Sequence, residues 1–154
     1  MELGSRKKID YSKWEVTKFS PTLYNSTIYQ SAGCGKTAIS TLVGCDPFLL
    51  KNTNRKNPNE YKDSWMLREL RKRGVKVLKI KPLEVTNHLQ SFENKINRHH
   101  VLLVSQIINK LESSWSIFFQ DYLIHNFLIS RWDRLELINR VPITIYIVWH
   151  KKWV

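Results

Sequence analysis

Cys34 lies between two glycines and ahead of Lys36-Thr37, so the stretch Gly33-Cys34-Gly35-Lys36-Thr37 offers two different chemistries. Its last three residues are the Gly-Lys-Thr end of a phosphate-binding loop. Its cysteine stands where a helix is expected to begin, a position that favours the thiolate. A phosphate loop needs Gly, four residues, then Gly-Lys-Ser/Thr, which puts the first glycine at position 30, and residue 30 is Gln. That glycine supplies the backbone freedom with which such a loop wraps phosphates. Only Ser26–Tyr29 is available as the strand that should lead into the loop. The best apolar strand, Val101–Val104, ends in Ser105 where an acid should position magnesium. Nucleotide binding is therefore the third reading of this stretch.

The thiol reading asks less of the chain. A cysteine attacks as thiolate, and unpaired amides together with the helix dipole lower its pKa at a helix N-terminus. The ordinary alternative is a small buried core cysteine. A nucleophile of this kind needs a base, most often His. Of the five histidines, His88 falls in a weak helix and His150 beside Lys151-Lys152, both surface settings. His99 and His100 immediately precede the most apolar strand, and a histidine at the mouth of a buried strand is held rigidly. His125, inside another possible strand, is the alternative. Pairing Val101–Ile108 with Trp115–Phe119 places a residue at about position 122 opposite His100. Asp121 lies next to that point and would orient the imidazole through its second N–H. The plain alternative for Gln120-Asp121 is a polar hairpin tip, and Asn126 is the rival orienting residue.

The order Gln30…Cys34-Gly35-Lys36-Thr37-Ala38, followed by a helix, resembles the Gln…Cys-Gly-Pro-Thr-Ala opening of papain-like cysteine peptidases, closest to the compact bacteriocin-processing type. Leu67–Gly74, Val75–Ile80, His100-Val101-Leu102-Leu103-Val104 and a strand ending near Asp121 follow in similar order. The resemblance spans about residues 28–149 and implies a papain-like α+β fold. It also implies an amide substrate, peptide or isopeptide, cleaved or transferred through a thioester. Carried over, Cys34 is the nucleophile, His100 the base, Asp121 its orienter and Gln30 the oxyanion donor, with His99, His125 and Asn126 as alternatives. Lys36 stands where the family has Pro, and Gln30 is only four positions before Cys34. The competing class is a catalytically silent scaffold, or a basic structural protein that binds nucleic acid or an acidic protein. No metal and no cofactor is implied.

Apolar periodicity supplies the elements around these residues. Ala38, Ile39, Leu42 and Val43 recur at helical spacing, and Gly44 is placed to end the helix. Asp46-Pro47 begins another helix. Ser64 opens a third, striped by Met66, Leu67 and Leu70 and stopped by Gly74. Val75–Ile80 reads as a strand and Thr86–Ile96 as a weaker helix. Strands follow at Val101–Ile108, Trp115–Phe119, Tyr122–Ile129 and Ile143–Trp149, with Pro142 suited to the start of the last. Helices before strands indicate an α+β domain. The expected organisation is one domain over 1–154: an extended arm over 1–27, a mainly helical half over 28–97 and a mainly β half over 98–154.

Composition bounds the partners. Hydrophobic residues make up 42% of the 154, with 12% aromatic, which argues for a folded chain rather than disorder. No apolar run approaches the roughly 18 residues of a membrane span, and no secretory signal is visible. Cys34 and Cys45, at opposite ends of one expected helix, do not form a disulfide framework, which favours a reducing, cytoplasmic setting or an intracellularly assembled particle. The net charge is +12, and residues 51–81 hold eleven Lys or Arg against three acids. Around Arg68, Arg71, Lys72 and Arg73 that excess suggests an anionic partner: nucleic acid, an acidic protein face or a phospholipid surface. The bland reading is a solvated helix face.

Overall fold

Val101, Leu102, Leu103 and Val104 form an unbroken apolar run, which a strand buries only where both faces of its sheet are covered. The structure, a computed structural model, describes residues 9–51, 63–80, 96–107, 113–132 and 143–154. It places this run in the interior of a six-stranded antiparallel sheet. The strands are β1 (Lys76–Ile80), β2 (Val101–Ile107), β3 (Ser113–Phe119), β4 (Tyr122–His125), β5 (Leu128–Arg131) and β6 (Ile143–Trp149), in the order β1-β6-β2-β3-β4-β5. Val101 and Leu103 point to the face that packs on helices, with Trp115, Ile117, Ile124 and Val148. Leu102 and Val104 point to the other, with Phe118, Ile145, Ile147, Tyr11 and Ile96.

Among the described residues the helices are α1 (Ser26–Tyr29), α2 (Cys34–Val43) and α3 (Asp63–Lys72). α2 buries Ala38, Ile39 and Leu42, and α3 buries Trp65, Met66 and Leu70, in the same core. Gly44 (φ 81) and Gly74 (φ 82) end α2 and the turn after α3 in the left-handed conformation, as their positions in sequence predict. The α+β character is thus as expected, and β1, although it lies in the segment read as mainly helical, is an edge strand of the same sheet.

Three expectations are revised. Asp46 does cap a helical turn, its carboxylate accepting from Phe48 N, but Pro47–Leu49 is a single 3-10 turn and not a helix. Tyr122–Ile129 is two strands, because the chain reverses at Asn126-Phe127. The N-terminal segment carries a 3-10 turn at Tyr11–Trp14, and α1 occupies Ser26–Tyr29, where a strand was the alternative. The helix over Thr86–Ile96 and the loop Lys51–Asn59 fall almost wholly outside the described residues, as do His88 and Pro142.

Candidate active site

The register of the β3–β4 hairpin creates a gap, and the side chains of Cys34 and His125 fill it. β3 and β4 pair from Phe119↔Tyr122 to Ile117↔Ile124, so two further residues of pairing would set Trp115 opposite Asn126. Every second residue of an antiparallel strand turns its N–H and C=O to the same neighbour, and Trp115 shares that parity with Ile117 and Phe119. The ladder stops before it, because Asn126 (φ 49) and Phe127 (φ 66) turn the chain into β5. Trp115 N–H instead donates to Cys34 Sγ at 3.4 Å, and Trp115 O lies 3.1 Å from His125 Nδ1. The Trp115 side chain is buried in the helix-facing core, so the backbone N–H and C=O of this residue are firmly held.

The contacts close into a ring. His125 Nε2 lies 3.3 Å from Asn126 Nδ2, and Thr37 Oγ1 is 3.0 Å from Asn126 Oδ1 and 3.1 Å from Cys34 O. Ser116 Oγ adds a contact of 3.3 Å to His125 Nδ1. Cys34 is the first residue of α2, after Gly33 with φ 95, and it is half-buried. The positive φ there is what Gly33 is needed for. Cys45, at the far end of α2, is also free, and burial pushes its thiol pKa up despite the opposing pull of Arg73.

The residues favoured from sequence are placed elsewhere. His100 is fully buried, its Nδ1 accepting from Asn97 N at 3.0 Å and its Nε2 2.7 Å from Tyr11 O. The β2–β3 register puts His100 beside the Val101↔Phe119 end of the pair, while Trp115 pairs with Ser105 towards the other end. Asp121 is exposed at the hairpin tip and bridges Arg98 at 2.9 Å. It forms the polar tip and does not orient a histidine. The register explains the error: residue 120, not about 122, continues the ladder opposite His100. His99 is exposed beside the N-terminal arm, its carbonyl accepting from Val16 N at 2.8 Å. The alternatives His125 and Asn126 are the ones brought to Cys34. Gln30 is exposed in the 3-10 turn Gln30–Ala32 that leads to Gly33.

Thr37 and Trp115 are site residues that the sequence reading missed. Thr37 was visible as a buried-face hydroxyl one turn after Cys34; Trp115 acts through its backbone and leaves no sequence signal. The phosphate-loop geometry is not formed: α1 and a 3-10 turn precede Gly33 where a strand is required, and Thr37 is buried with its hydroxyl on Cys34 O and Asn126. Of the basic residues, Arg68, Arg71 and Lys72 are exposed on α3, whereas Arg73 turns inward to Glu69 at 2.8 Å. Among the described residues no group of three His, Cys, Asp or Glu is placed to hold a metal ion, and no helix is long and apolar enough to cross a membrane. Comparison of the chain with family models, with curated proteins and with solved structures returns no match in any of the three.

Proposed function

We propose that the chain is a cysteine-dependent hydrolase or transferase acting on a peptide or isopeptide amide, on a papain-like arrangement with Cys34 as nucleophile, His125 as base and Asn126 as its orienting residue. The observation that carries this reading is the meeting of Cys34 Sγ and His125 Nδ1 on the backbone N–H and C=O of one residue, Trp115. The thiol gives its proton to the imidazole and the sulfur attacks the amide carbonyl. The imidazolium then protonates the departing amine, and water or an acceptor amine releases the acyl group from the thioester. The first-turn amides of α2, which have no intrahelical acceptor, face the charge that develops on the carbonyl oxygen. Gln30, in the preceding turn, is the side-chain donor implied by the resemblance.

Proton counting supports Asn126 in its role. Thr37 has one hydroxyl proton and two acceptors in reach, Cys34 O and Asn126 Oδ1. Turning the Asn126 amide end for end removes the conflict: Nδ2 donates to Thr37 Oγ1, and the Thr37 hydroxyl donates to Cys34 O. Oδ1 then accepts from His125 Nε2–H, which the imidazolium formed during the reaction requires. In the test, a thiol-reactive peptidyl probe is added at neutral pH and labelling is read by mass spectrometry. Cys34 is expected to react about tenfold or more faster than Cys45. Equally slow labelling of both would overturn the reading in favour of a catalytically silent scaffold.

A further inference from the structure

Two basic runs far apart in sequence lie on connected elements. α3 leads through Gly74 directly into β1, which pairs with β6 from Lys76↔Trp149 to Ile80↔Ile145. β6 in turn ends in the turn Lys151–Trp153. His150 ties the junction: its Nδ1 accepts from Lys152 N at 3.0 Å, which leaves Nε2–H to donate to Arg73 O at 3.1 Å. Arg68, Arg71 and Lys72 of α3, Lys79 of β1, and Lys151 and Lys152 of the terminal turn are all exposed, while Lys76, of the opposite parity on β1, leaves the other face of the sheet. From Trp65 onward these three elements contain one acid, Glu69. It is buried, with Arg73 at 2.8 Å and Lys72 at 3.3 Å on its carboxylate.

From this we infer that the α3–β1–C-terminal-turn surface is a binding face for the phosphodiester backbone of nucleic acid. A protein partner of ordinary affinity needs an apolar centre in its interface, and a membrane-surface element needs apolar side chains to insert. Among the described residues no large apolar side chain is exposed on these three elements, and Val154 follows directly after the turn; others, such as Ile28, Phe48, Leu49 and Leu128, lie on α1, the Pro47–Leu49 turn and β5. A phosphate backbone needs only dispersed cations, and binding of that kind is sequence-independent and steep in salt. The face also explains part of the +12 charge that an amide hydrolase has no use for.

The experiment is fluorescence anisotropy of a labelled mixed-sequence DNA duplex titrated with the full chain. With roughly four or five phosphate contacts, affinity is expected to fall about 150- to 500-fold between about 50 and about 200 mM salt. Lys151→Ser with Lys152→Ser, and separately Arg68→Ser with Arg71→Ser, should each lower the salt slope by nearly 2, at about 0.9 per lost contact. The matched loss of two charges elsewhere, Lys13→Ser with Arg131→Ser, should leave it unchanged; Arg131 lies on β5, the opposite edge of the sheet. Several outcomes overturn the inference: no binding at low salt, an equal effect of the control pair, no effect of the Lys151/Lys152 pair, or tighter binding to anionic phospholipid vesicles than to the duplex. Cys34→Ala should bind the duplex like the unmodified chain, so this inference and the hydrolase reading fail independently.

Discussion

His100 and His125 each have two engaged ring nitrogens, but they hold different things. His100 joins Tyr11 O to Asn97 N deep in the protein, whereas His125 links Trp115 O to the Asn126 amide beside a half-buried thiol. Crossed substitutions separate the roles. His100→Ala leaves the carbonyl of buried Tyr11 and the half-buried Asn97 amide without this partner and opens a cavity, which should cost about 3 kcal/mol of stability. Wherever that variant remains folded, Cys34 labelling should keep its rate. His125→Ala should leave the urea midpoint nearly unchanged and slow Cys34 labelling at neutral pH about tenfold, since an unassisted thiol is only a few per cent thiolate there. If His100→Ala slows labelling and His125→Ala does not, the site has been placed on the wrong histidine. Cys45 supplies the internal reference in both experiments: burial holds its thiol above the ordinary value of 9.0, so its labelling should rise only as pH climbs past that value.

At the level of elements, α3 and its exit into β1 show how charge and backbone conformation cooperate. Glu69 precedes Lys72 and Arg73 by three and four residues, the favourable order on a helix. Burial alone would raise the Glu69 pKa, but the hydrogen bonds from Arg73 and Lys72 outweigh it and hold the carboxyl below its ordinary 4.5. A depressed folded-state pKa means stability that is present above pH 4.5 and lost as pH falls below it. The urea midpoint should therefore drop on acidification through that range, and Glu69→Gln should flatten the drop; an unchanged acid limb would refute the coupling. Gly74 exits the helix at φ 82, and a Cβ there would meet His150 Nε2 at 3.0 Å. Gly74→Ala should cost about 1–2 kcal/mol from the backbone conformation, measured by urea denaturation, before any displacement of His150. The ends of α2 and α3 and the run of β2 were legible because glycines and unbroken apolar runs report backbone conformation and burial directly. The turn at Asn126-Phe127 was not, because a tight hairpin with two positive φ values is ordinarily signalled by Asn-Gly, and Phe stands second. Its conformation is held instead by tertiary packing of Phe127 against Tyr24 and Tyr29, at 5.6 and 6.4 Å between rings. Missing that turn hid the site, since it is the turn that ends the ladder at Trp115.

Across the whole molecule, the N-terminal segment fastens parts that are remote in sequence. Tyr11 O meets His100, Val16 N donates to His99 O, Thr17 N and Lys18 N both meet Trp153 O, and Thr22 N donates to Thr41 O of α2. Tyr24 then reaches Gly44 O at the end of α2. The segment thus runs from the start of β2, past the terminal turn, to the helix that carries Cys34. A sequence without clean periodicity gave no sign of this, because the segment is held by single hydrogen bonds and scattered rings and not by an amphipathic stripe. Phe19 is the central fastening, packed edge-on between Phe119 at 4.9 Å and Trp153 at 4.8 Å, and buried. Phe19→Ala should cost about 3–5 kcal/mol, a large share of the stability of a domain this size. Amide hydrogen exchange distinguishes the two ways that cost could arise. If the segment is part of the cooperative fold, the Val16, Thr17 and Lys18 amides exchange only with the core strands in the unmodified chain and together with them, faster, in Phe19→Ala. An appendage would instead show an unchanged urea midpoint and rapid exchange at those three amides in both proteins. The first outcome would make the position of α2, and with it the approach of Cys34 to Trp115, a property of the whole chain and not of the Gly-Cys-Gly motif alone.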